Sequence, residues 1–454
     1  MASETTQKLK DIDRRCVWHP FTQMRDWADD DAPIIDRAHR CRLIDTDGNE
    51  YLDGISSLWV NVHGHRHPVI DAAVRGQLDR VAHSTLLGLG NVPSIELAER
   101  LLDHAPEGLS RVFYSDSGST AVEVAIKIAF AYFRHTGSPE RNVFVRFEGS
   151  YHGDTLGSVS VGGIDLFHEL YRPLLFEAPV ADYPHCYRCK YELHPDTCGL
   201  ACLQSLDRIL AEHRGRVAAV IIEPLIQGAS GMRVAPQGFL REVADRAREA
   251  GALLVCDEVA TGFGRTGKMF ACQHEDVSPD LMALAKGISA GYLPLAATLA
   301  TELIYEAFLG AHTDNKTFFH GHTYTGNPLA CAAALAGLQV FEAESVLEKL
   351  TPKIELFENL LDGFRHHPSV GDVRHKGLMA GIELVADAAT GRPFDPDLRV
   401  GVKVTRKARS LGAILRPLGD VMVLMPPLSI EQEELRQLMS IADKALGEVE
   451  GQYV

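Results

Sequence analysis

Two short apolar runs, residues 252–256 and 281–285, each end at a charged side chain. The first run is followed by Asp257 and Glu258, and the second by Lys286. Runs of this length and composition are typical of strands that are buried on both faces of a parallel sheet. The pattern therefore predicts an aspartate and a lysine at the ends of two buried strands, where the fold has to compensate both charges.

The chemistry of this pair points to a cofactor. Burial lowers the pKa of a lysine and makes its amine a nucleophile that can form an imine with a carbonyl. A buried aspartate needs a cationic partner, and a protonated pyridine nitrogen is one. Lys286 and Asp257 together match what pyridoxal 5'-phosphate (PLP) requires of its protein. The alternative is an ordinary ion pair or two solvated loops. The glycines that follow each residue favour the cofactor site: Gly262, Gly264, Gly267, Gly287 and Gly291.

Strand and helix patterns alternate from about residue 69 to 330. Strands are predicted at 111–115, 143–147, 218–223, 252–257, 281–285 and 295–300. Helices are predicted at 95–104, 121–133 and 238–250. Such alternation indicates an α/β domain with a mainly parallel sheet, and ligands of these sheets collect at the carboxyl ends of the strands. Residues 331–454 show the pattern of a smaller α+β domain.

The stretch around Asp257 and Lys286 resembles the class III, or subgroup II, PLP-dependent aminotransferases of fold type I. The match consists of DEVATGFGRTGKMFACQH at 257–274 and PDLMALAKGISAGYLPLAA at 279–297. The resemblance continues over nearly the whole chain. It implies a large PLP-binding domain (69–330) with helices on both sides of its sheet, and a small C-terminal domain (331–454). It also implies an N-terminal segment (1–68) that packs with the small domain.

A turn of small residues predicts the phosphate site. Residues 115–120 lie between a strand and a strongly helical run, and Thr120 and Glu123 have the spacing of a capping box that would start the helix near 119–121. Backbone N–H groups at a helix start favour an anion, and Gly118 allows close approach. A plain helix cap is the alternative. The resemblance assigns the phosphate to Gly118 and Ser119, and to a Thr323 supplied by the second subunit of a homodimer with shared active sites.

The resemblance also assigns the residues around the cofactor ring and the substrate. Tyr151 and His152 belong to the family's YHG motif, in which the aromatic side chain covers one face of the ring. Glu223 is expected near the phenolic oxygen of the cofactor. Lys286 is expected to act as general base, with Asp257 and Tyr151 completing the catalytic set. Beside Tyr151 and Lys286, the resemblance places these further residues at the substrate: Phe21, Leu58, Trp59, Gly321 and Arg416. It implies that Arg416 binds a carboxylate in a bidentate manner.

Within the family the chain is most similar to the 7,8-diaminopelargonic acid aminotransferases of biotin synthesis. The similarity is carried by the strings WHPFTQM, SSLWVNVHGHRHP and HGHTYTGNPLACAAA. These enzymes aminate 8-amino-7-oxononanoate, most with S-adenosylmethionine as amino donor and some with lysine. Phe21, Leu58 and His322 replace the Tyr, Trp and Pro of the adenosylmethionine pattern. Because the first two changes remove surface for a bulky sulfonium donor, we predict lysine as the donor, with S-adenosylmethionine as the alternative.

Four of the nine cysteines lie within one short segment: Cys186, Cys189, Cys198 and Cys202. Their spacing suits a tetrahedral thiolate site, so a structural zinc ion is predicted. Reduced cysteines packed in an insertion are the alternative.

The composition of the chain restricts the classes of partner and the location that it favours. A net charge of −16 argues against nucleic acid and against an anionic membrane surface. No apolar run approaches the ~20 residues of a membrane span. The charged N-terminus lacks the apolar core of a secretory signal, and the cysteines are then expected to be reduced, so a cytoplasmic location is predicted.

Two other readings of the chain stay open. One is another class III aminotransferase that acts on ω-amines or ω-amino acids. The other is a PLP-binding regulatory protein on the same fold, which would have no need of Lys286 or Asp257. Decarboxylase or racemase chemistry shares the cofactor but not these motifs.

Overall fold

The computed structural model describes residues 3–453 of the chain. Seventeen strands are present among these residues: β1 Ile35–His39, β2 Arg42–Asp45, β3 Glu50–Asp53, β4 Leu109–Ser115, β5 Val143–Phe147, β6 Val180–Ala181, β7 Val217–Ile222, β8 Ile226–Gln227, β9 Arg233–Val234, β10 Leu253–Asp257, β11 Leu281–Leu284, β12 Ala296–Thr301, β13 Val370–Lys376, β14 Met379–Leu384, β15 Ala413–Ile414, β16 Arg416–Leu418 and β17 Val421–Leu424.

The α-helices, apart from a four-residue turn at Ser56–Trp59, have these bounds: Glu4–Cys16, Met24–Ala28, Pro68–Leu78, Val92–His104, Gly118–His135, Leu156–Ser160, Asp165–His168, Leu203–Glu212, Phe239–Glu249, Glu302–Glu306, Pro328–Ala343, Val346–Asp362, Val400–Ser410 and Gln432–Glu450.

A seven-stranded sheet has the strand order β4-β12-β11-β10-β7-β5-β6. Its pairings are parallel except for the two made by β12. Helix Gly118–His135 packs its apolar side, including Ala125 and Ile128, on one face of the sheet. Helix Phe239–Glu249 packs Leu240 and Val243 on the other face. The predicted α/β fold with a mainly parallel sheet is confirmed, and its parallel strands direct their carboxyl ends to one edge.

The remaining sheets are smaller. Strands β1-β2-β3-β15 form a four-stranded sheet in which β15, from the C-terminal part of the chain, runs parallel to β3. Strands β13-β14-β17-β16 form an antiparallel sheet. The sequence predicts one strand at 413–416, but the chain leaves the first sheet after Ile414 and enters the second at Arg416. This change of sheet, which an apolar run cannot indicate, fixes where Arg416 lies.

The start of the helix after β4 differs from the prediction. The helix begins at Gly118 rather than near 119–121, and Ser117 is its N-cap. Thr120 closes the capping box from inside the helix, with its N–H 3.3 Å from Ser117 Oγ. Glu123 has another function, because its carboxylate accepts the backbone N–H of Gly157 at 2.7 Å. The predicted capping pair was therefore wrong, although the helix and its position are confirmed.

Within residues 3–453, no single helix is long and apolar enough to cross a membrane. Pro328–Ala343 and Val346–His366 pass a test of length and composition only as a pair, bent by 72°.

Candidate active site

A cavity of about 790 Å³ opens at the carboxyl ends of β5, β7, β10 and β11. Its size is in the range of small-molecule sites, and this edge of an α/β sheet is the usual place for one. Most of the predicted site residues line it: Phe21, Leu58, Trp59, Gly118, Ser119, Tyr151, His152, Glu223, Asp257, Lys286 and Arg416. Residues from the N-terminal segment, the large sheet and the C-terminal part therefore meet in one cavity.

Lys286 follows β11 and directs its amine into this cavity. Its Nζ lies 5.0 Å from the centroid of the Trp59 ring. Burial lowers the pKa of the amine below its usual value, and the cation of Arg265 acts in the same direction, whereas Asp257 and Glu223 oppose it. The net direction favours the neutral amine, the form that attacks a carbonyl or accepts a proton.

Asp257 ends β10 and is almost fully buried. Its Oδ2 lies 2.6 Å from Nδ1 of His152, which donates the hydrogen bond, and its Oδ1 accepts the N–H of Val259 at 3.0 Å. The predicted alternative of an ion pair between Asp257 and Lys286 is not what this part of the chain forms, since His152 takes that position. The carboxylate is thereby oriented with its charge unneutralised by lysine, as a pyridinium partner needs.

Glu223 follows β7 and faces the same cavity. Its two oxygens accept the backbone N–H groups of Tyr151 at 3.0 Å and Gly228 at 3.1 Å. Burial is the main cause that raises its pKa to about 7, with the charge of Asp257 adding to the effect. Glu223 therefore changes protonation near neutral pH while it faces the cavity.

The turn before helix Gly118–His135 has room for an anion. A methyl group at Gly118 would lie only 2.6 Å from Cγ1 of Val259, so the backbone is accessible there because side chain is absent. The Oγ of Ser119 lies 2.9 Å from Oγ1 of Thr155 and accepts the Thr155 N–H at 3.0 Å. Backbone N–H groups at the start of a helix favour an anion.

Aromatic residues and an arginine surround the cavity mouth. The rings of Phe21 and Phe167 are 5.3 Å apart, and that of Tyr151 is 6.3 Å from Phe167. The Tyr151 hydroxyl donates to Asp154 at 2.6 Å, and burial raises its pKa. Arg416, whose pKa is lowered by burial, makes no ion pair with the residues of the 3–453 range. Its guanidinium is therefore available to a carboxylate.

Leu58 and Trp59 reach the cavity from an unusual backbone. The four residues Ser56–Trp59 have φ values of 50°, 48°, 71° and 71°, in the left-handed region. Each L-residue there costs about 1–2 kcal/mol, and single residues are the rule. Leu58 remains 46% exposed at the mouth, whereas Trp59 is buried against Lys286. Such strain persists only where the surroundings hold it, and it is characteristic of functional sites.

Gly321 and Thr323 do not line the cavity of their own chain. Both are exposed on the loop that precedes helix Pro328–Ala343. The same loop exposes Phe319 and Tyr324, at 80% and 62%. Their predicted contacts with cofactor and substrate are thus not made within one chain.

The four clustered cysteines surround a separate cavity of about 100 Å³. Among residues 3–453, no group of three or more His, Cys, Asp or Glu side chains is arranged to hold a metal ion. Burial raises the pKa of Cys186, and that of Cys202 to about 11, so these thiols are protonated in the metal-free protein. The predicted zinc site at Cys186, Cys189, Cys198 and Cys202 is therefore not supported.

Several residues that were not predicted also line the cavity, among them Val259 and Phe167. Val259 lines the cavity two positions after Asp257, and the alternation of side chains along an extended chain could have indicated it. Phe167 lines the mouth from the short helix Asp165–His168, for which the sequence carries no clear signal.

Comparison with known proteins identifies the family of this site. The family model for Aminotransferase class-III matches residues 25–446. The adenosylmethionine-8-amino-7-oxononanoate aminotransferase of Nitratidesulfovibrio vulgaris is 60% identical over 440 residues, which are 96% of this chain and 81% of that protein. Further relatives of that name are 35–53% identical.

Comparison with solved structures also points to aminotransferases. The crystal structure of adenosylmethionine-8-amino-7-oxononanoate aminotransferase from Methanocaldococcus jannaschii has a TM-score of 0.93 and 43% identity, covering 97% of this chain and 99% of that one. An amine transaminase from an uncultivated Pseudomonas species, in the PLP-bound form, has a TM-score of 0.91 and 35% identity, covering 96% and 99%. Class III aminotransferases use PLP. The chain that forms this cavity belongs to the class III aminotransferases.

Proposed function

We propose that this aminotransferase transfers an amino group to 8-amino-7-oxononanoate, giving 7,8-diaminononanoate for biotin synthesis. The observation that carries the proposal is the 60% identity, over 96% of the chain, to a relative named for that substrate. The cavity supports it, since the residues of an amino-transfer site converge there and an unpaired Arg416 faces the space a substrate carboxylate would occupy.

The residues present fit PLP. Lys286 would bind it covalently, Asp257 would pair with its ring nitrogen, and Tyr151 would cover one ring face beside His152 and Glu223. The turn at Gly118 and Ser119 would hold its phosphate. When bound, PLP supplies the electron sink for amino transfer.

The protein's own residues supply the rest of the reaction. The Lys286 amine, whose pKa burial lowers, would accept the proton from the carbon that bears the donor's amino group and pass it on rather than give it back to that carbon. His152 keeps the Asp257 carboxylate oriented through its 2.6 Å hydrogen bond. Arg416 binds the carboxylate of the substrate, and Phe21, Phe167 and Trp59 exclude water from the mouth.

We infer a homodimer with shared active sites. Two observations support it: Gly321 and Thr323 are exposed and outside their own cavity, and exposed apolar side chains lie beside them. The loop at 84–91 exposes Leu87 and Leu89, and Leu86 packs close to Gly326 of the Thr323 loop. An exposed apolar patch of this kind is typical of an interface, and in a dimer the partner's loop would complete the phosphate site.

Two amino donors are candidates. The names of the relatives favour S-adenosylmethionine. The prediction of lysine depends on Phe21 and Leu58, which line the mouth and are 57% and 46% exposed. We take S-adenosylmethionine as the leading donor because the relatives so named match almost the whole chain.

Other assignments are inferred in the same way. The division into 1–68, 69–330 and 331–454 is supported by the seven-stranded sheet, whose strands all lie between Leu109 and Thr301. A cytoplasmic location is supported by nine free cysteines. The ω-amine alternative is weakened by identities of only 30–35% to several amine and ω-transaminases.

The absorbance of the holoprotein tests this function. The band of the lysine-bound cofactor should disappear when S-adenosylmethionine or lysine is added, and 8-amino-7-oxononanoate should then restore it. The Lys286→Ala variant is the control and should show no such band. If neither donor removes the band but an ω-amine such as putrescine does, the ω-amine alternative replaces the proposal.

A further inference from the structure

Two buried charges hold the left-handed turn Ser56–Trp59 from opposite sides. Arg265 is 1% exposed and donates only to neutral acceptors. Its Nη2 bonds the carbonyl oxygens of Trp59 at 3.3 Å and Asn61 at 2.9 Å. Its Nη1 bonds Ser56 Oγ at 3.1 Å and the Pro426 carbonyl at 2.9 Å. One guanidinium thus connects the turn to the C-terminal part of the chain.

Asp53 binds the other side of the turn. It is 1% exposed, and its Oδ1 accepts the N–H of Ser57 at 2.8 Å. Its Oδ2 accepts the Ser57 hydroxyl at 2.8 Å and lies 2.9 Å from Nε2 of His65. The charges of Asp53 and Arg265 attract each other across the turn without direct contact. Burying a charged side chain is costly, so two of them beside one four-residue turn indicate that the conformation of this turn matters.

We propose that Asp53 and Arg265 are positioning residues for the substrate that enters this cavity. They hold Ser56–Trp59 in the left-handed region and thereby fix Leu58 and Trp59 at the cavity mouth. No glycine is present in the turn, so this conformation has to be imposed by its contacts. Because Trp59 packs against Lys286, displacement of the turn changes the space beside the reacting amine. This inference rests on the proposed function for the identity of the acceptor.

Asp53→Ala tests the first contact. We expect the KM for 8-amino-7-oxononanoate to rise about tenfold, which corresponds to loss of one or two good hydrogen bonds. The kcat should change less than the KM, because Lys286, Asp257 and Tyr151 are themselves unchanged in this variant. Asp45→Ala is the matched control: it removes another buried carboxylate that accepts two backbone N–H groups, in the β2–β3 turn. It should lower the Tm without changing this KM.

Rescue by glycine separates positioning from general stabilisation. In Asp53→Ala, the Ser57 side chain has lost its partner, and glycine adopts positive φ without strain. Ser57→Gly should therefore recover most of the lost Tm and part of the KM in the Asp53→Ala background. It should recover neither in the Asp45→Ala background.

Arg265→Lys tests the second contact while keeping the charge. A single ammonium cannot reach all the acceptors that a guanidinium reaches, so the KM should rise by a similar factor, with a changed circular dichroism of the bound cofactor. Arg141→Met is the control, since Arg141 likewise binds the carbonyl oxygens of Val217 and Ala250 but lies outside the active-site cavity. That variant should lower the Tm and leave the cofactor spectrum unchanged.

The proposal is wrong if Asp53→Ala and Arg265→Lys lower the Tm but leave the KM and the cofactor spectrum as in wild type. It is also wrong if Ser57→Gly acts equally in both backgrounds. The Tm and spectral measurements need no acceptor. They therefore still test the positioning role if the wild-type protein turns out not to use 8-amino-7-oxononanoate.

Discussion

Burial changes the pKa values of side chains in the candidate site. Burial lowers the pKa of Lys286 and raises that of Glu223 to about 7, so both groups are driven toward their neutral forms. Asp257, in contrast, keeps a hydrogen-bonding partner in His152. One cavity thus contains an amine that burial shifts toward its neutral form and an oriented carboxylate, and amino transfer needs a group of each kind.

Glu223 makes stability depend on pH. Below about pH 4.5 the carboxyl is protonated in both the folded and the unfolded chain, whereas between about 4.5 and 7 only the folded chain retains the proton. The free energy of unfolding of the cofactor-free protein should therefore fall as pH rises through this interval, by about 3 kcal/mol at most. Denaturant unfolding at pH 5 and pH 7.5 measures this, and Glu223→Gln should flatten the dependence. An unchanged slope in that variant would contradict the assignment.

Elements of the large sheet follow from local sequence, and this part was predicted well. The strands at 143–147 and 253–257 are short apolar runs, and burial on both faces leaves a run of this kind few other conformations. Tertiary contacts decide the features that were missed. Ser56–Trp59 contains no glycine or asparagine that would indicate positive φ. Its conformation depends on the neighbouring Asp53 and on the distant Arg265 and Met425.

The residues of the candidate site also divide into those that follow from local sequence and those that depend on tertiary contacts. Lys286, Asp257 and the turn at Gly118 stand at ends of elements, so their position follows once the elements are known. The contact between His152 and Asp257 joins residues far apart in the chain and has no local signal. The cysteine spacing suggested a metal site, but spacing along a loop does not determine whether thiols converge.

The start of helix Gly118–His135 leads to a testable prediction. A methyl group at Gly118 would displace Val259 within the cavity. Gly118→Ala should therefore weaken PLP retention, raising its dissociation constant about tenfold. Gly76→Ala is the control, since Gly76 lies in helix Pro68–Leu78 with no atom within 4 Å of the added methyl group. The control should keep its cofactor and gain about 0.5–1 kcal/mol of stability. Equal retention by both variants would argue against a phosphate at Gly118.

At the scale of the whole molecule, the proposed homodimer with shared active sites predicts complementation between inactive variants. Lys286→Ala removes the lysine, and Thr323→Glu places a negative charge on the loop that would contact the partner's phosphate. Each homodimer should be nearly inactive. After the two are mixed and exchanged, a heterodimer has one site with an intact lysine and an intact threonine, so activity should return to a fraction of wild type. Activity that stays absent after verified exchange would place Thr323 outside the site.

Phe21 and Arg416 line the same cavity from nearly opposite ends of the chain. During synthesis, Gly118, Asp257 and Lys286 leave the ribosome well before Arg416 does. A growing chain therefore acquires the proposed cofactor residues before it acquires Arg416, whereas Phe21, Leu58 and Trp59 at the cavity mouth are made earlier still. Chains that terminate before β16 lack Arg416 and the Pro426 carbonyl that binds Arg265, so the C-terminal side of this cavity is added last.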